Sequence, residues 1–371
     1  LTKMIFCDTI NVPSRSFFVT YLQKGMSLSR SFIFHECVHE DILEESMVTK
    51  QDVAERAGVS TATVGRVLSG KGYVSADARA KVEEAVRALN YRRNNLAANL
   101  RKRKSNVMAV LVEDLLNPYY MHLAEAMVER AKEKNCIVSL FAVKDRDVRQ
   151  VLDDLLSNRV CGVVNLAMFT CDFSWYDIFL EEGIRLINCT ATGPKVIVDY
   201  TQGMQEAMAC LKKAGRTHPA FLAGIESWLA PNDLRVRFFR ENAEQYGLVY
   251  NSELLLCGNY PIVKAHHVGY ELCKQLIESK KQFDSLFCMT DMMALGALKA
   301  LFDFGYKIPQ DVSVIGCDDL DFTGFFQPSL TTIAVDKKAE AYAYVDLILD
   351  DEVSDRDVRK VNTHLVERSS V

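Results

Sequence analysis

The chain contains no apolar run approaching the roughly eighteen residues that a membrane span needs. Its opening residues lack the basic start, unbroken apolar stretch and small-residue cleavage site of a secretory leader. Both absences predict a protein with no membrane partner that stays in the cytoplasm. Eleven cysteines are present, an odd and scattered set, and no two stand in a C-x-x-C spacing. That argues against a disulfide framework or a zinc site. Cys136, Cys161, Cys189, Cys257, Cys288 and Cys317 fall in apolar runs that read as strands, where a free thiol packs as a small hydrophobe. Catalytic signatures are missing as well. There is no nucleophile elbow and no G-x-x-x-x-G-K-[ST] loop, and His266 and His267 are adjacent, so they cannot share a helix face to hold a metal. No catalytic residue, cofactor or metal is expected, and the chain is not expected to be an enzyme.

What is present is ordinary in bulk and uneven in distribution. The 371 residues are 49% hydrophobic and 25% charged, as in a soluble globular protein with room for two or three domains. The net charge of −5 conceals an asymmetry. Residues 47–106 hold 13 Lys and Arg against 5 Asp and Glu, whereas residues 107–371 hold 27 against 38. A compact basic head on an acidic body suggests a polyanion-binding module joined to a separate domain.

Residues 1–46 show no sustained period of 2 or 3.6. They are read as sequence upstream of a natural start at Met47 or as a loose extension; the alternative is a real additional element. From Met47 the patterning is strong. Thr49 with Asp52 resembles a capping box opening a helix over 50–57. Gly58 supplies the turn, Ser60 caps a second helix over 61–68, and Ser75 caps a third over 76–89. Val53, Ala54, Ala57, Val59, Val64 and Val67 fall where two crossing helices would share a core. Val82, Ala85, Val86 and Leu89 form the facing stripe of the third. Residues 91–106, YRRNNLAANLRKRKSN, are a basic connector with a short helical pattern inside. Beyond 107 strands and helices alternate. Strands are expected at 107–112, 136–142, 160–166, 184–188, 195–198, 219–223, 253–257, 285–289, 312–316 and near 361–367, and helices at 119–134, 146–157, 174–182, 202–214, 233–246, 264–279, 292–304 and 338–350. Apolar runs such as VMAVLV are those of parallel strands covered on both faces. The class is α/β, with doubly wound sheets whose length suits two lobes.

The first two helices and the turn between them form a helix-turn-helix. Ser60, Thr61, Ala62 and Thr63 are small and mostly polar at the start of the second helix, which lets its N-terminus approach base edges in a major groove. Arg66 lies farther along, where a guanidinium can pair with guanine. Such a bidentate pair is worth about 1–3 kcal/mol of discrimination. A small helical module with a merely solvated basic face is the bland alternative.

The run VTKQDVAERAGVSTATVGRVLSGKGYVSADARAKVEEAVRALNYRRNNLAANLRKRKSN resembles the headpiece and hinge of the lactose-repressor family of bacterial regulators, and the resemblance continues to the C-terminus. It implies DNA contacts from Thr49, Ser60, Thr61, Ala62, Thr63 and Arg66. It also implies a hinge helix with Asn95, Ala97, Leu100 and Arg101 at the DNA, Leu100 entering the minor groove as a wedge that bends the duplex. Two departures stand out: Gly65 where the family usually has Ser, and Arg93 where it usually has Pro. Glycine there costs a recognition helix about 1 kcal/mol and removes a hydroxyl suited to a phosphate.

The motifs AVLVEDLLNPYY, LFCMTDMMALGALKAL, IPQDVSVIGCDDLDF and PSLTTI resemble the family's effector core, which shares its fold with type I periplasmic sugar-binding proteins. The resemblance implies a ligand cleft between two lobes, lined by Asn117, Tyr120, Met168, Arg235, Tyr260, Thr290, Asp291 and Asp318. Arg235 would bond effector oxygens, Tyr260 would stack on the effector, and the carboxylates would accept hydroxyl hydrogen bonds. Asp291 reads as a cap of the helix starting at Met292 ahead of a direct ligand contact, and Tyr120 reads equally as core. Thr290 stands where the family usually has Asn. Phe238 and Arg216 replace its usual Gly and His, and all three changes bear on effector identity.

The expected domains are a 1–46 extension, a 47–92 headpiece, a 93–106 hinge and a 107–371 core. Its N-lobe is expected near 107–205 and 336–358, and its C-lobe near 206–335 and 359–371. The expected function is a sequence-specific regulator, most simply a repressor. Its affinity for a pseudo-palindromic operator would be coupled to a small carbohydrate-class effector. The C-terminus lacks appended leucine heptads, so a homodimer is expected. The alternative, a periplasmic-type sugar carrier without a regulatory role, conflicts with the basic head.

Overall fold

The computed structural model describes residues 48–70, 72–91, 105–113, 115–143, 148–167, 173–190, 192–258, 265–350, 352–354 and 356–371. The expected 1–46 extension, most of the connector, and Met168 and Tyr260 lie outside these residues. The chain divides into two units, Leu1–Asn94 and Asn95–Val371, and each is taken by itself.

The first unit contains α1 (Lys50–Ala57), α2 (Thr61–Ser69) and α3 (Ala76–Ala88). Each begins where a short polar side chain satisfies the otherwise unpaired N–H groups of its first turn. Thr49 and Asp52 form the expected capping box: the Thr49 hydroxyl accepts from Asp52 N at 3.3 Å, and the Asp52 carboxylate accepts from Thr49 N at 2.6 Å. Ser60 Oγ accepts from Thr63 N at 3.1 Å and Ser75 Oγ from Ala78 N at 3.3 Å. Gly58, at φ 64°, ends α1 in the left-handed conformation that only glycine adopts without strain. Val53, Ala54, Ala57, Val64, Val67, Val82 and Ala85 are buried together, and these small side chains let the three helices pack closely.

The second unit begins with a parallel sheet in the order β2-β1-β3-β4. Its strands are β1 (Val107–Val112), β2 (Ile137–Ala142), β3 (Gly162–Asn165) and β4 (Arg185–Ile187). The helices between them are α4 (Pro118–Glu133), α5 (Val148–Ser157) and α6 (Phe173–Glu181). The remaining strands are β5 (Lys195–Asp199), β6 (Pro219–Ala223), β7 (Leu255–Cys257), β8 (Ser285–Cys288), β9 (Ser313–Asp318), β10 (Thr331–Val335) and β11 (Val358–Val366). They align in the order β5-β11-β10-β9-β8-β6-β7. Helices α7 (Thr201–Lys213), α8 (Leu234–Asn242), α9 (Ala265–Glu278) and α10 (Asp291–Asp303) accompany this second sheet. Helix α11 (Lys337–Leu349) returns to pack on α4, with Tyr344, Val345 and Ile348 buried against Met108, Leu123 and Met127.

Two lobes result, each with its own core. β11 serves both: Val358–Asn362 pairs parallel with β5, and Thr363–Val366 pairs antiparallel with β10. The lobe boundary expected at 358/359 therefore falls inside one strand. Two expectations change. The sequence reading had no strand at Thr331–Val335, yet this five-residue segment is wholly buried beside β9. The helix expected over 233–246 ends at Asn242 and tightens into a 3-10 turn, Ala243–Tyr246, closed by Gly247 at φ 74°. In the C-lobe, α9 and α10 cross at glycines. A Cβ on Gly269 would meet Met293 O at 2.0 Å, and one on Gly296 would meet His266 O at 1.8 Å. This contact fixes the first turn of α10, where Thr290 and Asp291 sit.

Candidate functional site

In the first unit α2 presents one polar face. Ser60, Thr61, Ala62 and Arg66 are exposed and Thr63 is half-buried, while Val64 and Val67 face the core. The Ser60 and Thr63 hydroxyls are 2.9 Å apart and bonded to each other, so the cap that starts the helix also orients the pair. Thr49 is exposed, and its hydroxyl donates to Asp52 at 2.8 Å. Gly65 has a structural counterpart: a Cβ there would lie 2.6 Å from Lys50 Nζ. The ammonium of α1 thus occupies the space a side chain at 65 would take. Sequence reasoning missed Lys50, and it missed Tyr73, 92% exposed in the turn after α2. Asn95, Ala97, Leu100 and Arg101 lie outside the described residues.

In the second unit a cavity of about 460 Å³ opens between the lobes. Asn117, Tyr120, Arg235, Thr290 and Asp318 all line it. Several have a structural task too. Asn117 Oδ1 caps α4 by accepting from Tyr119 N at 3.1 Å. The Tyr120 hydroxyl donates to Leu166 O at 3.3 Å while its ring joins the N-lobe core. Thr290 Oγ1 accepts from Met293 N at 3.2 Å and caps α10. Asp291 does neither of the things expected of it. It is not the cap and does not line the cavity. Its carboxylate is buried behind the site, accepting from Thr332 Oγ1 at 2.6 Å and from Leu320 N at 2.9 Å. Burial raises its pKa to about 6 despite those bonds.

Asp318 is the sharpest feature. It ends β9 at φ 121° and is followed by Asp319 at φ 50°. Two successive non-glycine residues in this region persist only when surroundings impose them. Lys337 Nζ donates to the carbonyls of both. Asp319 N donates to Thr332 Oγ1 at 3.3 Å, and Arg368 pairs with the Asp319 carboxylate at 2.7 Å. The turn so held presents the Asp318 carboxylate, 7% exposed, to the cavity. Burial and the neighbouring Asp291 charge push its pKa well above the ordinary range.

Arg235 faces the same space. It pairs with Asp233 at 2.8 Å, donates to Met289 O at 2.8 Å, and lies 5.0 Å over the Tyr200 ring. Burial pushes Asp233 up, and the charge and hydrogen bonds of Arg235 more than reverse this, leaving it below the ordinary carboxylate value. Sequence reasoning missed a second polar system in the N-lobe. Tyr119 OH donates to Glu340 Oε2 at 2.5 Å, Tyr344 OH to Glu340 Oε1 at 3.2 Å, and Asn188 Nδ2 to Tyr344 OH at 3.0 Å. Burial raises Glu340 to about 7, against the effect of the two hydroxyls. All four line the cavity. Of the three departures thought to bear on the ligand, only Thr290 reaches it. Arg216 spends its guanidinium on Ser313 Oγ at 2.9 Å and on carbonyls of the 309–311 loop, and Phe238 packs on the C-lobe core.

A helix-turn-helix module, with a two-lobed α/β core enclosing a polar cavity, defines the class of ligand-responsive DNA-binding regulators. Comparison with known proteins gives the family. Residues 49–94 match "Bacterial regulatory proteins, lacI family", and residues 208–371 match "Periplasmic binding protein-like domain". The chain is 32% identical over 299 residues to the HTH-type transcriptional regulator AscG of Escherichia coli (strain K12), covering 78% of this chain and 87% of that protein. It is 26% identical to the ribose operon repressor of Lactococcus lactis subsp. lactis (strain IL1403), covering 88% and 98%. A crystal structure of the lac repressor dimer bound to operator and the anti-inducer ONPF superposes with a TM-score of 0.73 at 25% identity, covering 87% of this chain and 98% of that one. The chain belongs to the lacI family and is a DNA-binding transcription regulator. No helix among the described residues is long and apolar enough to cross a membrane.

Proposed function

We propose that this protein is a cytoplasmic, homodimeric repressor of a pseudo-palindromic operator, and that a carbohydrate-class effector in the inter-lobe cavity sets its affinity for DNA. The observation that carries the effector reading is Asp318: a buried carboxylate with no side-chain hydrogen bond among the described residues, held by a strained turn and facing a cavity of about 460 Å³. The Asp318 carboxyl group can accept hydrogen bonds from two ligand hydroxyls, and Arg235, which lines the same cavity, can donate to ligand oxygens. The tyrosine faces suit an apolar sugar face. Asn117, Tyr120, Thr290, Met168 and Tyr260 complete the proposed ligand set.

Relatives support the physiological side. The ribose operon repressor bears a sugar operon in its name. The lac repressor was captured as a dimer on operator with an anti-inducer. Ser60, Thr61, Ala62, Thr63 and Arg66 would read bases, Thr49 would meet the backbone, and residues 93–106 would act as the hinge, with Leu100 as its wedge. The relatives are regulators and not enzymes, and no catalysis is proposed. A thermal-shift screen of sugars, sugar phosphates and nucleosides, followed by operator binding with each hit, tests the proposal. Asp318→Ala is expected to weaken the hit by about tenfold or more, in line with a hydrogen bond lost from a buried site. Full retention would place the effector elsewhere. Leu100→Ala with unchanged specific affinity would sink the hinge wedge.

A further inference from the structure

Apolar context predicted that the cysteines of the strand-like runs are packing residues, and for Cys189, Cys288 and Cys317 burial agrees. Cys136 and Cys161 differ. Each is only half-buried, each stands one residue before a strand, and their sulfurs are 3.7 Å apart. The strands they precede, β2 and β3, flank β1 on its two sides. The two thiols therefore meet across the first residues of β1. The backbone ties around them are specific: Ile137 N donates to Asn106 O at 2.8 Å, Cys161 N to Val107 O at 2.8 Å, and Ser105 N to Arg159 O at 2.8 Å. The turns leading into both strands are open to solvent. Asn135 and Arg159 are exposed, and Ile137 is 54% exposed.

We propose that Cys136 and Cys161 are a modification site, a thiol pair that hydroperoxides oxidise to an intramolecular disulfide. The geometry supplies two half-buried sulfurs in contact, and bringing them to bonding distance draws the two strand ends toward each other across β1, against the backbone bonds that tie them to it. The thiol of Cys161 beside Cys136 draws the latter below the ordinary thiol range, in spite of partial burial. That raises the fraction of thiolate, the nucleophilic form. The chemistry balances in two steps. Cys136 thiolate attacks the peroxide O–O bond, forming the sulfenic acid and releasing hydroxide, which takes up the thiol proton as water. The Cys161 thiol then attacks the sulfenic sulfur, the S–S bond forms and a second water leaves. Two thiols and one hydrogen peroxide give one disulfide and two waters. In a reducing cytoplasm such a bond is transient and suits sensing more than structure. Closing it would clamp both strand ends around residues 105–107, the segment through which the core receives the chain from the connector.

The test uses the full-length reduced protein and hydrogen peroxide, followed by thiol blocking and peptide mapping by mass spectrometry without reductant. The expected product joins the Cys136 and Cys161 peptides at two hydrogens less than their sum, forms about tenfold or more faster than oxidation of Cys189, Cys273 or Cys288, as thiolate fraction and access demand, and reverts with dithiothreitol. Cys161→Ser should leave Cys136 trapped as a sulfenic acid that dimedone labels. Oxidation of the pair no faster than of the buried thiols would overturn the proposal. So would a bridge to any other cysteine, or a Cys136 product indifferent to Cys161→Ser.

Discussion

Nine consecutive residues, Thr61–Ser69, make the helix proposed to face DNA, with the cap Ser60 just before it. The inter-lobe cavity instead gathers side chains between Asn117 and Tyr344, from α4, β3, β5, α8, α9, α10, β9 and α11 and the loops that join them. The two regions also use glycine in opposite ways. Gly65 faces only the end of a flexible lysine, whereas Gly296 faces backbone of α9. The reading head is a local object that tolerates change one side chain at a time. The core is a non-local object in which one atom is felt across two helices. The largest expected effect breaks this comparison directly. Gly296→Ala places a methyl 1.8 Å from His266 O, and since neither backbone can move aside, the crossing must open. Overpacking of this kind costs about 3 kcal/mol or more. Urea unfolding should show it, with loss of effector binding as Thr290 shifts. A variant as stable as the parent would mean that the α9–α10 contact is looser than described.

Next in size is Arg235→Ala. It leaves the Asp233 carboxylate mostly buried with its cation gone, a change that costs about 3–5 kcal/mol in a well-buried pair. Exposure of the pair, at 15% and 17%, places this case at the lower end. The Asp233 carboxyl lies below its ordinary value in the folded protein. Its contribution to stability is therefore present above the unfolded value near pH 4 and is lost as pH falls through the folded value. The deficit of Arg235→Ala should accordingly shrink in acid. A deficit that is constant with pH would show that packing of Arg235 on Tyr200, and not the ion pair, is what the mutation removes.

Glu340 behaves with the opposite sign. Its folded value of about 7 lies above the ordinary glutamate value of about 4.3. Between these the native state keeps a proton that the unfolded chain has released. Stability from this group thus declines as pH rises from about 4.5 to about 7 and is flat above. Glu340→Gln removes the decline. Relative to the parent it should gain roughly 2 kcal/mol between pH 5 and pH 8, offset at all pH by one weakened tyrosine hydrogen bond. Parallel stability profiles for the two proteins would show that Glu340 is ionised without penalty.

The same contrast explains what could be read in advance. Thr49, Ser60 and Ser75 announced their helices because a cap acts on the next three residues. The runs VMAVLV and VSVIG announced the doubly wound core because burial on both faces leaves a nearly continuous apolar run. β10 did not announce itself. TTIAV is short, its two threonines look like loop residues, and they are buried only because Asp291 and Ser370 bond them from elsewhere in the chain. Asp291 was misjudged for a related reason. A carboxylate at the start of a helix looks like a cap, but Thr290 takes that role, leaving Asp291 to meet Thr332, forty-one residues away. The Asn188–Tyr344–Glu340–Tyr119 system has no sequence signal, since its members come from three separate segments and no spacing links them. Arg235 and Asp318 were found through resemblance. Their partners could be found only through coordinates.

The smallest expected effect lies in the reading helix. Gly65→Ala introduces a methyl 2.6 Å from Lys50 Nζ and 3.3 Å from Lys50 Cε. Nothing but a mobile ammonium has to yield. Alanine gains up to about 1 kcal/mol over glycine in a helix interior, and displacement of an ammonium that can reach solvent costs little of this. The headpiece should thus become more stable by a few tenths to about 1 kcal/mol, measurable by thermal denaturation. DNA binding should respond through charge. If Lys50 over Gly65 is the cation that stands in for the missing hydroxyl, then Gly65→Ala redirects it, and Lys50→Ala removes it. Lys50→Ala should lower operator affinity uniformly across sequences and reduce the slope of log affinity against log salt by about one unit. An unchanged slope would mean that Lys50 meets no phosphate. Gly65 would then mark only a looser helix, and the contrast between the two regions would rest on Gly296 alone.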